Sequence, residues 1–143
     1  MSDIKNHIKL RAYVEDDENF VYNSWLKSYR YSPLAQSITN TLYFREHHTI
    51  IGDLIKNSVV VIACDKYDDK QIFGYALGAI IDGVFTLHYI YVKHTYRKMG
   101  LGNILINTLA PDLSVASFYT HETKVAQRLA AKYNMVYNPY FMS

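Results

Sequence analysis

Cysteine is almost absent from this chain of 143 residues, Cys64 being the only one. An internal disulfide is therefore impossible, and a reducing, cytoplasmic setting is expected, with Cys64 acting as a small buried apolar group. Glycine and proline are sparse, at six and three, which argues against collagen-like repeats and long linkers. The longest apolar run, Ile72 to Ile81, falls far short of the ~20 residues of a membrane-spanning helix. Met1 to His7 lacks the apolar core of a signal peptide. No membrane partner is expected. Charge of one sign is also scarce: the formal net charge of +2 is too mild for nucleic-acid binding by bulk electrostatics, although a local basic patch is compatible with it. What remains is a chain 50% hydrophobic and 20% charged, the composition of one globular domain spanning residues 1–143. Fourteen tyrosines suit strands and half-buried pockets without naming a chemistry.

Periodicity gives the element order. Ile8 to Tyr13 alternates apolar with polar or amphipathic side chains, as a half-buried strand does. Acidic residues at 15–17 precede Val21, Trp25 and Tyr29, which repeat at helical spacing until Pro33. A second helix is expected from Leu42 to Ile55, with Phe44, His48, Ile51 and Ile55 on one face and His47 beside it. Strands follow at Val59 to Cys64, Gln71 to Ile81 and Phe85 to Val92, the last two joined by the hairpin signal Asp82-Gly83. Leu101, Leu105 and Leu109 mark a third helix up to Pro111. A strand at Ser114 to Tyr119, a helix through Val125, Leu129 and Tyr133 capped by Thr120 or Thr123, and a strand at Met135 to Phe141 complete the chain. The predicted class is α/β (α+β): a mixed, mainly antiparallel sheet of about six to seven strands flanked by about four helices.

The most informative stretch is Leu87 to Leu105. A strand ending in Tyr89-Ile90-Tyr91-Val92 hands over, through Arg97-Lys98-Met99-Gly100-Leu101-Gly102, to a helix. Glycines at such a junction let the backbone approach a ligand, and the free N–H groups of the first helical turn point at it. The arrangement is an anion site, most often for phosphate.

The spacing Arg97-x-x-Gly100-x-Gly102 directly after this strand resembles the acetyl-CoA-binding signature of the GCN5-related N-acetyltransferases, the GNAT family, and the element order agrees from Ile8 to Phe141. The resemblance implies acetyl-CoA as co-substrate, its pyrophosphate held by backbone N–H groups from Lys98 through Met99, Gly100 and Leu101 to Gly102, with Arg97 beside them. It also implies that the pantetheine arm pairs with Ile90, Tyr91 and Val92.

Acyl transfer to an amine requires a neutral nitrogen, yet a lysine-like amine has a pKa of about 10.4. Many GNAT enzymes carry a glutamate four residues before the valine that closes this strand; that position is His88 here, and an imidazole can serve as base. His88 is expected to share a strand face with Thr86, Ile90 and Val92. The family's tyrosine acid aligns with Ala130, so Tyr133, three residues on, is the substitute candidate. Trp25, Tyr29 and His48 fall where the family shapes its acceptor site. No metal is expected, since no H-x-x-x-H spacing occurs.

The leading expectation is an N-acetyltransferase acting on an amine-bearing small molecule or protein by direct attack in a ternary complex, as a monomer or homodimer. Two alternatives accompany it. The stretch Tyr22 to Leu26 resembles phage-encoded GNAT-like proteins, whose Mom-type branch modifies adenine in DNA and would make nucleic acid the partner. A non-catalytic GNAT-fold module that binds CoA or a protein is the other.

Overall fold

The computed structural model describes residues 4–110, 112 and 117–142. A single helical turn, α1 (Ile4–His7), leads into β1 (Ile8–Ala12); α2 (Glu18–Tyr29) and α3 (Asn40–Lys56) follow. Then come β2 (Val59–Asp65), β3 (Ile72–Ile81) and β4 (Val84–Val92), helix α4 (Leu101–Leu109), β5 (Ser117–Tyr119), α5 (Lys124–Tyr133) and β6 (Val136–Tyr137). Among the described residues the six strands form one sheet in sequence order, antiparallel from β1 to β4 and parallel from β4 to β6. The expected architecture is therefore present, with α1 as an addition. Part of the strand expected at Ser114 to Tyr119 lies outside the described residues, and the terminal strand is confined to Val136–Tyr137.

Two helical layers cover the sheet. Helices α4 and α5 pack on one face, where Leu101, Leu105, Ile106 and Leu129 meet Leu87, Ile90 and Val92. Helices α2 and α3 cover the other, where Trp25, Tyr29, Tyr43 and Ile51 meet Ile62, Tyr75, Leu77 and Tyr89. Asp17 anchors the start of α2 to β1, receiving two hydrogen bonds of 2.8 Å from the Arg11 guanidinium and one of 2.9 Å from the Val14 N–H. Burial opposes the Asp17 charge, but these bonds prevail and hold its carboxyl below the usual carboxylate range.

Two features depart from simple periodicity. On α3 the buried residues are Tyr43, Ile51 and Leu54, while Phe44 and His48 are exposed. The buried face is thus turned about 100°, one residue, from the expected one, and carries His47 inward in place of His48. On β4, Leu77 pairs with Tyr89 and Gly78 with Leu87, so His88 is an extra residue in a β-bulge. The bulge resets the alternation: Phe85 and Leu87 before it share the α4 side with Ile90 and Val92 after it, so Thr86, His88, Ile90 and Val92 do not form the single face expected of them. Gly78 faces the bulge because a Cβ there would stand 2.6 Å from the Thr86 carbonyl oxygen.

Candidate active site

The parting of β4 and β5 creates a cleft. Their pairing runs from Phe85 opposite Ser117 to Leu87 opposite Tyr119 and closes with the Thr120 N–H donating to the Leu87 carbonyl at 3.0 Å. Beyond it β4 continues to Val92 while the chain turns into α5. Among the described residues, no strand pairs with that side of β4 from Ile90 to Val92, so an edge of backbone hydrogen-bonding groups lines the cleft.

At the far end of this edge, a 3₁₀ turn over His94–Tyr96 brings the chain round. Arg97 Nε donates to the Val92 carbonyl at 2.9 Å, tying the turn to the strand it has just left. Gly100, at φ 83°, is the N-cap of α4 and offers no side chain to its amides. The first bond of the helix runs from Ile104 N–H to the Gly100 carbonyl at 3.2 Å, so the N–H groups of Leu101, Gly102 and Asn103 belong to the open first turn. Gly100, Gly102 and Asn103 border a cavity of ≈ 370 Å³ whose lining includes Arg97, Lys98, Arg128 and Lys132 and, among the described residues, no carboxylate. Helix dipole, free amides and four cations all favour an anion there.

The two glycines differ in what they do. Gly100 has a conformation that L side chains rarely adopt. Gly102 has no such constraint, and a Cβ on it would come no closer than 3.8 Å to Leu129 and 3.9 Å to Val125. Packing does not demand glycine at 102. The space a methyl group would fill belongs to the cationic cavity.

A second cavity, ≈ 350 Å³, continues from the first, sharing Val92, Arg97 and Val125 with it. Ile90, Tyr91 and Tyr89 form one wall, Ser28, Tyr31, Ser32 and Pro33 from the end of α2 another, and Glu122 and Thr123 a third. Tyr89 is fixed by a 2.5 Å hydrogen bond shared with Ser28 and by stacking on Trp25, with ring centroids 4.4 Å apart and planes 8° from parallel. Residues 117–134 place the third wall accurately: Thr123 caps α5 by accepting from the Ala126 N–H at 3.2 Å, and Asn134, at φ 56°, ends it.

The residues named from the sequence are distributed unevenly around this cleft. Ile90, Tyr91, Val92, Arg97, Lys98, Gly100 and Gly102 line it. Met99 packs against the core of the α4 side, and Leu101 is fully buried within that core. Trp25 and Tyr29 are buried behind Tyr89, and neither lines these two cavities. His48 stays on the surface against Tyr22, with ring centroids 4.5 Å apart. Tyr133 donates to Asn103 Oδ1 at 3.0 Å and accepts from Asn107 Nδ2 at 3.2 Å, bracing α5 on α4 outside both cavities. Its offset from Ala130 by three residues turns it about 300° round the helix. His88, 1% exposed, lines neither cavity, and its Nδ1 lies 3.1 Å from Thr120 Oγ1. Burial lowers its pKa to about 4, so the ring is neutral near pH 7.

Residues 18–131 match the model of the acetyltransferase (GNAT) family. The chain belongs to that family. Solved structures share the fold of this GNAT chain. A possible acetyltransferase from Clostridium difficile 630 is 15% identical with a TM-score of 0.57, over 96% of this chain and 95% of that one. The aminoglycoside N-acetyltransferase AAC(6')-Iy, solved in complex with CoA, is 14% identical with a TM-score of 0.55, over 90% and 88%. A GNAT acetyltransferase from Staphylococcus aureus Mu50 is 14% identical with a TM-score of 0.52, over 71% of this chain. The present chain covers 62% of the length of that protein, under two thirds. No curated protein matches the GNAT chain. No helix among the described residues is long and apolar enough to cross a membrane.

Sequence reasoning reached the strand, glycine turn and helix at the mouth of the first cavity because their residues are contiguous. It missed Ser28, Tyr31, Glu122, Arg128 and Lys132, which reach the cleft from three other segments. The i, i+4 spacing of Arg128 and Lys132 on one face of α5 was the available signal.

Proposed function

We propose that this GNAT chain is an acetyl-CoA-dependent N-acetyltransferase in which an amine acceptor attacks the thioester directly, in a ternary complex. The observation that carries this reading is the continuity of a cation-lined helix N-terminus, with no carboxylate among the described lining residues, with the β4 edge that no strand covers and with the second cavity. The open amides of the α4 first turn, with Arg97, Lys98, Arg128 and Lys132, suit the phosphates of CoA. The edge from Ile90 to Val92 suits the amides of a pantetheine arm, which would pair as an added strand. The second cavity is left for the acceptor and the acetyl group. When bound, acetyl-CoA supplies an acetyl group already activated as a thioester, so the chain's own task is to hold and deprotonate the amine.

The test is a melting-temperature measurement with 1 mM acetyl-CoA, paired with detection of released thiol in the presence of primary amines. A ligand at a hundred times its Kd stabilises the fold by about 2.7 kcal/mol, which is readily seen as an upward shift. No shift at that concentration overturns the reading.

A further inference from the structure

We infer that Glu122 receives the ammonium group of the acceptor and takes its proton, and that the acceptor is a primary amine carried on a small apolar body. The inference rests on the acetyltransferase reading above and deepens it at the second cavity. Glu122 stands between the end of β5 and the N-cap of α5 and lines that cavity opposite Ser28 and Tyr31. Two cations also line it, but Arg97 and Lys124 both extend onto the basic surface beside α5 as well. Of the described residues lining the second cavity, Glu122 is the only one with an acidic side chain. It is half-buried, and one oxygen accepts a long bond of 3.4 Å from the Tyr119 hydroxyl. A carboxylate offers about four lone-pair positions, so room for an ammonium is left.

The remaining wall sets the rest of the acceptor. Tyr31, Pro33 and Tyr91 offer apolar and aromatic surface, and ≈ 350 Å³ has to hold both the amine and the reacting acetyl group. A single ring or short alkyl body fits such a volume. A carboxylate on the acceptor would face the Glu122 carboxylate and be repelled.

The chemistry balances without a further reagent. The ammonium gives one proton to the Glu122 carboxylate, and the freed lone pair forms a bond to the thioester carbonyl carbon. The carbon–sulfur bond breaks with its electrons on sulfur, the nitrogen loses a second proton to water, and Glu122 returns the first to solvent. One ammonium and one thioester yield one amide, one thiolate and two protons. A thiol of ordinary acidity, pKa about 8.5, leaves as its anion without a dedicated acid, which accords with the buried Ala130 at the position of the family's tyrosine.

The experiment uses 2-phenylethylamine as probe amine and acetyl-CoA as donor, with thiol release as readout. Wild type turns the probe over; E122Q lowers kcat/KM roughly 100-fold or more, the range of a lost general base. The variant keeps the wild-type melting temperature and acetyl-CoA shift, and its rate climbs about tenfold per pH unit, since only free amine then reacts. If E122Q does not fold, E122D carries the test, with an expected loss of about tenfold and an unchanged KM for acetyl-CoA. An E122Q or E122D enzyme within threefold of wild type overturns the assignment. So does failure of wild type to acetylate the probe while its acetyl-CoA shift persists, a result that leaves the acetyltransferase reading intact. Loss of the wild-type acetyl-CoA shift overturns both.

Discussion

His47 Nε2 lies 3.0 Å from His121 Nε2, and the contact is one link in a buried chain that crosses the α2–α3 side of the sheet. His121 Nδ1 lies 2.9 Å from Thr120 Oγ1, which is in turn 3.1 Å from His88 Nδ1. Each link holds one proton, so the chain is satisfied with all three rings neutral. Trp25, Tyr29 and Tyr43 surround it with aromatic faces. Burial lowers the pKa of His47 and His88 to about 4; for His121, burial and then repulsion from the other two rings push it well below the ordinary histidine value.

This chain predicts a steep loss of stability on the acid side. Between pH 6.5 and about 4 the unfolded state binds protons at these histidines and the folded state does not, so unfolding becomes more favourable as pH falls. The stabilisation is fully present above pH 6.5. At 1.36 kcal/mol per pKa unit, His47 and His88 each contribute on the order of 3 kcal/mol. Denaturant unfolding at pH 7.5 and pH 4.5 should show a difference of several kcal/mol, and His47→Gln should reduce it. An unchanged stability across that range would contradict the neutral chain.

Gly102 separates ligand binding from folding. Glycine in a helix costs about 0.8–1 kcal/mol relative to alanine, and among the described residues nothing closer than 3.8 Å opposes a Cβ there. Gly102→Ala is expected to raise the melting temperature while weakening acetyl-CoA binding about tenfold, or 1.4 kcal/mol. Calorimetric titration with acetyl-CoA beside a thermal melt checks both. Gly102→Ala binding as tightly as wild type would show that the methyl space is not ligand space.

Arg128 and Lys132 are expected to act on the cofactor through charge. Replacing either with Ala should weaken acetyl-CoA binding about three- to tenfold, and the loss should shrink in 0.5 M salt as the attraction is screened. The control is Lys56→Ala at the exposed end of α3, which should bind as wild type does. Equal effects at both sites would point to net charge and not to the cavity.

Much of the fold was legible because its punctuation is local. Asp82 and Gly83 adopt the positive φ values that a two-residue hairpin needs, and Asn134 the left-handed stop of α5. The turn from β4 into α4 was equally plain, since strand, glycines and helix are consecutive. Misreadings arose where tertiary packing chose between near-equal alternatives. On α3, adjacent His47 and His48 lie at the border of an apolar stripe, and only docking against Trp25 and Tyr29 selects His47. The bulge at His88 leaves no mark in an apolar run that would pair as well without it. Glu122 reads in sequence as a residue beside a helix cap; its neighbours Ser28 and Tyr31 are about ninety positions away.

His88 supplies the last expectation, because the position that the family resemblance marks for a base is here a bulge residue bonded to Thr120. A ring that lines neither cavity is expected to position the cleft and not to exchange protons with an acceptor in it. Replacing it leaves the Thr120 hydroxyl and the His121 ring with a broken chain, at a cost of about 1–3 kcal/mol for the groups left unpaired. His88→Gln should therefore lower the melting temperature by several degrees and reduce kcat less than tenfold, with the pH profile of kcat/KM unchanged in shape. A roughly thousandfold loss of kcat at wild-type stability and wild-type acetyl-CoA binding would instead make His88 the base and Glu122 a bystander.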